Sequence, residues 1–491
     1  MRKRIVLYTL LILLILNFLT CQTGEEGQYL QKNISTFDIL TLDNGIPLII
    51  KNNEYNRIFS LFIGLQGQSM LTTKDKAGIE GVTLQMLTKG SEAYKYEDIK
   101  QILYEKSSSL RAFYSSFDYS YFSLFTLDKY FKELFPLFID SFLNPSWNEE
   151  EFAKVIYDMK INYQQNMNDP YGRMVNILHD YTFKDHPYMA YFSGTEESLD
   201  NISLEDVKEY YKETFSPERI FVVAVGNFDT QSLYTNLNNS LGKLPKKGIT
   251  IAEVPPFKEL NQSELILEPF AASPGVAFVR ADFHIPVRAH PDYPALMLAS
   301  AMLDDLLFQI VRIQNSAAYG MWVHTFGFKA NYASIVIFKT IVPEKVKHYI
   351  DNAIAVLLNG ECLGAKISVS ASGKGGIGET DDPEAQKGNF VPIEQALEFY
   401  KAQYINFYYH AQQTNASIAS QILNSLVYTG DYKDYLYYIE RINAVTTDDI
   451  IQVASKYFFE QPMTWIVLSS QDMLDKIKRQ DYLTFQGKLE E

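Results

Sequence analysis

SLEDVKEYYKETFSPERIFVVAVGNFD, residues Ser203–Asp229, has a counterpart in TTDDIIQVASKYFFEQPMTWIVLSSQD, residues Thr446–Asp472. Each stretch begins with a Ser or Thr that is followed three residues later by an Asp, a pattern typical of a helix start. A helix of about ten residues and a short turn are predicted next. Each stretch then enters an apolar strand rich in β-branched and aromatic residues, predicted over Phe221–Val225 and Thr464–Leu468. Because the same unit recurs 243 residues later, the sequence predicts a duplicated domain.

Earlier strand–helix segments match at a smaller offset of about 215 residues, for example 121–142 with 334–357. The change of offset predicts a surface loop inserted in the second copy, and residues 362–389, rich in Gly, Ser and Asp, fit it. Several alternating strands and helices in each copy predict an α+β fold. We therefore expect two homologous domains, each a mostly antiparallel sheet covered by helices.

Length and composition agree with two domains, because 491 residues are too many for one hydrophobic core. The predicted organisation is a signal peptide at 1–21, a tether at 22–36, an N-terminal domain at 37–241, a linker at 242–262 and a C-terminal domain at 263–480. The formal net charge of -15 argues against nucleic acid as a partner, since phosphate binding needs clustered Lys and Arg.

The N-terminus has the pattern of an export signal. Basic residues at Met1–Arg4 precede a nearly unbroken apolar run over Ile5–Leu16, which ends at Phe18-Leu19-Thr20-Cys21. This ending resembles the bacterial lipobox, in which the cysteine is lipidated and becomes the mature N-terminus. We therefore predict a membrane-anchored lipoprotein that faces the periplasm, with Cys21 as the lipidated residue. An uncleaved membrane anchor and ordinary secretion remain alternatives.

Taken together, several short motifs resemble the M16 family of insulinase, pitrilysin and mitochondrial processing peptidase. The matching pieces, in chain order, are Leu42-Asp43-Asn44-Gly45, Gly78–Ser91, Asn144-Pro145, Asn168-Asp169-Pro170, His186-Pro187-Tyr188 and Gly194-Thr195. The resemblance implies two homologous α+β domains per half, and two halves that close around a peptide chamber. This length suits one half, so the resemblance also implies a second chain.

The residues that hold zinc in that family are missing. In GIEGVTLQMLTKGS, residues Gly78–Ser91, the H-x-x-E-H motif falls on Gly81, Leu84 and Gln85. Glycine and leucine side chains offer no lone pair, and a glutamine amide is a poor zinc ligand. The family's third ligand falls on a helix predicted over 151–166, where the nearest acidic residue is Asp158. We therefore expect no cofactor and no metal in this chain, zinc only in a partner subunit, and a structural role for the Gly78 helix.

A second pair resembles a different part of the family's site. Arg312 and Tyr319 lie seven residues apart across the end of a helix predicted over 295–312. The resemblance implies an Arg/Tyr pair that reaches the chamber from the half opposite the zinc. Arg312 would donate to a substrate carbonyl, and the Tyr319 hydroxyl would stabilise the oxyanion. The alternative is that Arg312 is a solvated helix residue and Tyr319 a core aromatic at the start of a strand.

Other candidates carry less. The histidines include no pair four residues apart, and Cys362 has no neighbouring histidine in sequence that would make it a nucleophile. Gly373-x-Gly375-x-x-Gly378 matches the dinucleotide fingerprint only formally, because acidic residues and no apolar helix follow it.

The sequence leads to one main hypothesis about function: a non-catalytic, substrate-binding subunit of a heterodimer with a zinc-bearing M16-like homologue that cleaves peptides. The competing hypothesis is a degenerate M16-like scaffold or peptide-binding lipoprotein with no associated hydrolysis. A third is a peptidase with unorthodox ligands.

Overall fold

A computed structural model describes residues 36–364 and 389–487 of the chain. The predicted signal peptide with Cys21, nearly all of the tether and residues 365–388 of the inserted loop lie outside the described residues. At the ends of that loop, two short strands, Glu361–Leu363 and Phe390–Pro392, pair antiparallel.

The first domain is built on a sheet that has six strands within the described residues. The strands are β1 (Phe37–Thr41), β2 (Pro47–Asn52), β3 (Ile58–Gln66), β4 (Ser109–Phe113), β5 (Tyr119–Leu127) and β6 (Ile220–Gly226). Their spatial order is β1-β2-β6-β3-β5-β4, in which β2 and β6 are parallel and the other neighbours antiparallel.

Helices cover one face of this sheet. The helices of the first domain are α1 (Ile79–Met86), α2 (Tyr96–Glu105), α3 (Asp128–Leu143), α4 (Glu149–Asn168), α5 (Pro170–Thr182), α6 (Glu196–Asp200), α7 (Leu204–Thr214) and α8 (Thr230–Asn239). Of these, α5 does not lie on this face but packs on the sheet of the second domain. Apolar residues of α1, α3, α4, α7 and α8 form one core with the inward side chains of the strands.

The second domain repeats this arrangement. Its strands are β7 (Glu264–Pro269), β8 (Ala277–His284), β9 (Ala318–Thr325), β10 (Tyr332–Thr340), the pair β11 (Glu361–Leu363) and β12 (Phe390–Pro392), and β13 (Thr464–Ser469). Its helices are α9 (Tyr293–Leu307), α10 (Pro343–Leu358), α11 (Ile393–His410), α12 (Asn415–Thr429), α13 (Tyr438–Asn443), α14 (Thr447–Ala454), α15 (Gln471–Leu474) and α16 (Arg479–Leu483). The sheet order β7-β13-β8-β10-β9, with β7 and β13 parallel, matches that of β2-β6-β3-β5-β4. The predicted α+β fold, with mostly antiparallel sheets covered by helices, is confirmed.

The repeated helix–strand unit folds as its sequence predicts. The hydroxyls of Ser203 and Thr446 each accept a hydrogen bond from the backbone N–H of the Asp three residues later. In turn, the carboxylates of Asp206 and Asp449 accept hydrogen bonds from the backbone N–H groups of Ser203 and Thr446. These paired bonds form a capping box at the start of α7 and of α14. The strands that follow, β6 and β13, are buried along their whole length.

Each domain contributes one helix that packs on the sheet of the other domain, an arrangement that the sequence did not predict. Helix α12 of the second domain packs Ile418, Ile422 and Leu423 against the outer face of the first sheet. Helix α5 of the first domain packs Met174 and Leu178 against the outer face of the second sheet. Each sheet is therefore covered on one face by its own domain and on the other by its neighbour, so the two domains share one packed body.

One helix in the described part of the chain, Tyr293–Gln314, is long and apolar enough to cross a membrane. Of its most apolar window, 78% is buried inside the protein, as expected for the core helix of the second domain.

Candidate functional site

Helix α1 carries the three positions on which the zinc motif falls, and each of them is buried or bonded to a neighbouring side chain. Leu84 is fully buried in the core of the first domain. Gly81 lies against the ring of Tyr114, so close that a Cβ at Gly81 would stand 2.7 Å from Tyr114 Cδ2. Gln85 Nε2 donates a hydrogen bond of 3.0 Å to the Tyr114 hydroxyl. The face on which two zinc ligands would stand is thus occupied by an aromatic side chain from the end of β4.

The donors on this face do not fit zinc. They are one neutral amide and one phenol, and burial raises the pKa of the Tyr114 hydroxyl, which keeps it protonated. On α4, Asp158 is exposed, whereas Val155 and Met159 are buried in the same core as α1. No group of three or more His, Cys, Asp or Glu that could hold a metal is found in residues 36–364 and 389–487.

A buried charge cluster beside Gly81 was missed by the sequence analysis. Arg219 Nη2 donates to both carboxylate oxygens of Glu80 at 3.0 Å, and both side chains are sealed from solvent. The hydroxyls of Ser120 and Tyr210 also donate to Glu80. Arg219 Nε donates to the carbonyl of Gln66 at 2.8 Å. The cluster ties α1 to β3, β5 and α7, so it holds the helix in place.

Of the two charged residues in this cluster, only Arg219 stands at a position where the sequence indicates a buried charge. Arg219 stands immediately before the apolar strand of the repeated unit, where Pro462 stands in the second copy. A charged residue at that point of a buried strand needs a partner. Nothing in the local pattern around Glu80 indicates that it is the partner.

Arg312 and Tyr319 lie together on the surface of the second domain. The α-helix predicted over 295–312 ends at Leu307, and Arg312 belongs to a π-helical turn, Phe308–Gln314. Arg312 Nη1 donates to the backbone carbonyl of Tyr319 at 3.1 Å. Its guanidinium lies 5.4 Å from the ring centroids of both Phe308 and Tyr319.

The Arg312/Tyr319 pair is exposed, and the Tyr319 side chain is not a core aromatic, since 69% of the residue is accessible to solvent. The rest of β9 forms the edge of the second sheet. The guanidinium is positioned by a backbone carbonyl and two rings, and no Asp or Glu in residues 36–364 and 389–487 forms an ion pair with it. Such a pair can offer N–H and O–H donors to a ligand at this surface.

Cys362 is buried, and burial raises the pKa of its thiol to about 12. A nucleophilic thiol needs a lowered pKa. Cys362 therefore serves as a small core residue of β11.

The fold is similar to that of M16 proteins, and Gly81, Leu84 and Gln85 stand where the zinc motif of that family falls. Residues 201–360 match the family model described as the peptidase M16 inactive domain. The chain is 24% identical over 243 residues to the "Uncharacterized zinc protease YmxG" of Bacillus subtilis, a match that covers 46% of this chain and 57% of that relative. It is also 24% identical over 298 residues to the "Non-peptidase homolog YmxG" of Helicobacter pylori, covering 59% of this chain and 67% of the relative.

Solved structures show the same fold. The crystal structure of a peptidase M16 inactive domain from Pseudomonas fluorescens superposes with a TM-score of 0.73 at 16% identity, over 89% of this chain and 98% of that one. A protease from Helicobacter pylori superposes with a TM-score of 0.71 over 88% and 99% of the two chains, again at 16% identity. The resemblance to the M16 family is confirmed by these matches, and positions 81, 84 and 85 of this chain carry no zinc ligands.

Proposed function

We propose that this chain is the non-catalytic, substrate-binding subunit of a heterodimeric M16-like zinc peptidase. The contrast between two faces carries the proposal. The face of α1 that would bind zinc is filled by Tyr114, whereas Arg312 and Tyr319 stand exposed and preorganised on the other domain. A chain that has the Arg312/Tyr319 pair but no zinc-binding face suits a position opposite the zinc site of another subunit. Anchoring to the periplasmic side of a membrane through Cys21 is part of the same proposal.

The partner would carry the intact zinc motif, which supplies water activation. Arg312 would donate to a backbone carbonyl of the bound peptide through its planar fork. The Tyr319 hydroxyl would donate to the substrate oxygen on which negative charge develops during attack. Both groups act only when the two subunits close around a peptide, so this chain alone is expected to show no hydrolysis.

Co-expression with a zinc-bearing M16-like homologue, followed by a fluorogenic peptide assay, tests the proposal. Arg312→Ala and Tyr319→Phe should each lower kcat/KM by about 100-fold or more, the loss found for oxyanion donors. Matched controls are Tyr104→Phe, at a tyrosine 84% exposed on the first domain, and Arg57→Ala, at an arginine with a 76% exposed side chain. Sedimentation should show that all four variants still pair with the homologue. Hydrolysis that is unchanged in both site variants would refute the assigned roles, and absence of any pairing would refute the heterodimer.

A second candidate function is a scaffold or peptide binder with no associated hydrolysis. The filled face of α1 supports it equally well, and so does the name "Non-peptidase homolog" given to the Helicobacter relative. Affinity purification from the native membrane separates the two. Recovery of a homologue with H-x-x-E-H supports the peptidase subunit, and its absence supports the scaffold.

A further inference from the structure

The second domain has an open cavity where the first domain has the filled zinc-motif face. Helix α9 follows β8 as α1 follows β3, and β9 is the edge strand of its sheet as β4 is of the other. Tyr114, at the end of β4, covers α1. At the corresponding place, between α9, the end of β9 and α11, lies a cavity of about 490 Å³. This volume is within the range of small-molecule sites.

Two polar residues one helical turn apart on α9 line the cavity. Ser300 is only 4% exposed, and within the described residues its hydroxyl has no hydrogen-bond partner. Asp304 Oδ1 accepts a hydrogen bond of 2.9 Å from the backbone N–H of Val323, while Oδ2 accepts none from the part of the chain that the structure describes. A buried hydroxyl without a partner costs free energy unless a ligand or water completes it. Both groups therefore offer oxygen acceptors to an occupant of the cavity.

The walls of the cavity suit a cation. Aromatic rings of Tyr293, Tyr404 and Phe407 line it, and the Tyr404 hydroxyl is held by the carbonyl of Met297 at 2.9 Å. Aromatic faces attract ammonium and guanidinium groups. The titratable and charged residues that line the cavity are Arg288, Tyr293, Asp304, Asp305, Tyr404, Tyr408 and Tyr438.

Asp304 supplies the negative charge of the cavity when its carboxyl is ionised. Arg288, the one cationic residue of that lining, is engaged by the Asp434 carboxylate at 3.1 Å. Asp305 Oδ2 accepts a hydrogen bond of 2.8 Å from the Tyr400 hydroxyl, so this oxygen already has a partner. Asp304 is thus the carboxylate that an incoming cation would meet.

We propose that this cavity binds an alkylammonium group, with Asp304 as its counter-ion, the Ser300 hydroxyl as a second acceptor and the rings of α9 and α11 around the alkyl chain. A lysine side chain of a peptide and a free diamine share this chemistry. The site is independent of Arg312 and Tyr319 and does not require the heterodimer.

Calorimetric titration of the full chain at pH 8 with Nα-acetyl-lysine amide, Nα-acetyl-norleucine amide and cadaverine tests the proposal. The lysine compound should bind saturably, and its neutral norleucine counterpart should bind at least tenfold more weakly. Cadaverine that binds as tightly as the lysine compound assigns the site to free amines as well as side chains. Weak cadaverine binding assigns it to peptides.

Asp304→Asn should weaken binding of the lysine compound about tenfold or more, because a charge-assisted hydrogen bond is lost. The amide oxygen can still accept from Val323 N–H, so the variant is expected to fold. Ser300→Ala should give a smaller loss. Asp158→Asn, the same charge change on the exposed side of α4, should leave binding unchanged. Equal binding of norleucine and lysine compounds, or undiminished binding by Asp304→Asn, would overturn the proposal, as would an absence of saturable binding.

Discussion

Filling of the zinc-motif face by Tyr114 can be tested by adding one methyl group at Gly81. In an isolated helix, Gly→Ala stabilises by up to about 1 kcal/mol. At Gly81 the new Cβ would lie 2.7, 3.0 and 3.1 Å from Cδ2, Cε2 and Cγ of Tyr114. These atoms include the base of the ring, which cannot swing away without changing the side-chain rotamer. Overpacking of this kind costs about 1–3 kcal/mol. Gly81→Ala should therefore lower the free energy of unfolding by up to about 2 kcal/mol.

The same substitution should become favourable once the ring is removed. In a Tyr114→Ala background, Gly81→Ala should recover the helix-propensity gain of about 1 kcal/mol. The coupling between the two positions is then about 1–3 kcal/mol, which urea unfolding followed by circular dichroism can resolve. Tyr114→Phe is the matched control: it keeps the ring and loses only the hydrogen bond to Gln85, so the cost of Gly81→Ala should persist. If Gly81→Ala stabilises the protein equally with and without the ring, the face is not filled as described.

Three further predictions concern buried charge. Glu80→Gln leaves Arg219 without its counter-ion and should lower the free energy of unfolding by about 3–5 kcal/mol in a urea assay. The control is Glu97→Gln, in an exposed pair with Lys100, which should change this free energy by less than about 1 kcal/mol. Equal losses would contradict the role of the cluster. Burial raises the pKa of the Asp304 carboxyl to about 7. Affinity for the lysine compound should therefore rise about 30-fold between pH 5.5 and 8, because the carboxylate forms over this range. If calorimetry showed no such rise, Asp304 would not be the counter-ion. Because the folded state then binds more protons than the unfolded state between about pH 4 and 7, stability should fall as the pH rises through that window. Asp304→Asn should make this slope smaller, and Asp305, whose pKa burial raises to about 6, contributes to the remainder.

The fold could be predicted from repeated local patterns, because caps and strands are set by neighbouring residues. Ser203 with Asp206 and Thr446 with Asp449 form the capping boxes that their spacing indicates. The exchange of α5 and α12 had no such signal. An amphipathic helix shows that it has a buried face, but the sequence does not say which of two apolar sheets it covers. Since α12 lies on the first sheet, its contacts span more than 300 residues.

The sequence predicted that Gly81, Leu84 and Gln85 do not bind zinc, and this prediction followed from side-chain chemistry alone. The sequence did not predict that Tyr114 covers this face of α1, because the position of Tyr114 is set by the end of β4 and not by any spacing from α1. The π-helical turn that holds Arg312 was likewise unpredicted, since its residues have ordinary helical composition. The exposed setting of Tyr319 follows from its place on an edge strand, and strand order is a tertiary property.

The duplication places the same kind of helix face in two environments, and the difference between them bears on function. In the first domain, Gly81 lets an aromatic ring reach the helix backbone, and the polar groups on this face, the Gln85 amide and the Tyr114 hydroxyl, are neutral and bonded to each other. In the second, Ser300 and Asp304 line a cavity, and within the described residues the Ser300 hydroxyl has no hydrogen-bond partner. Packing alone would favour apolar residues on this face of α9. The second domain instead has a buried hydroxyl and a carboxylate there, and polar groups of this kind lower stability unless they have partners. Unfilled polar groups of this kind are typical of binding sites, so the second domain, which carries both this cavity and the Arg312/Tyr319 pair, is where binding should be sought first.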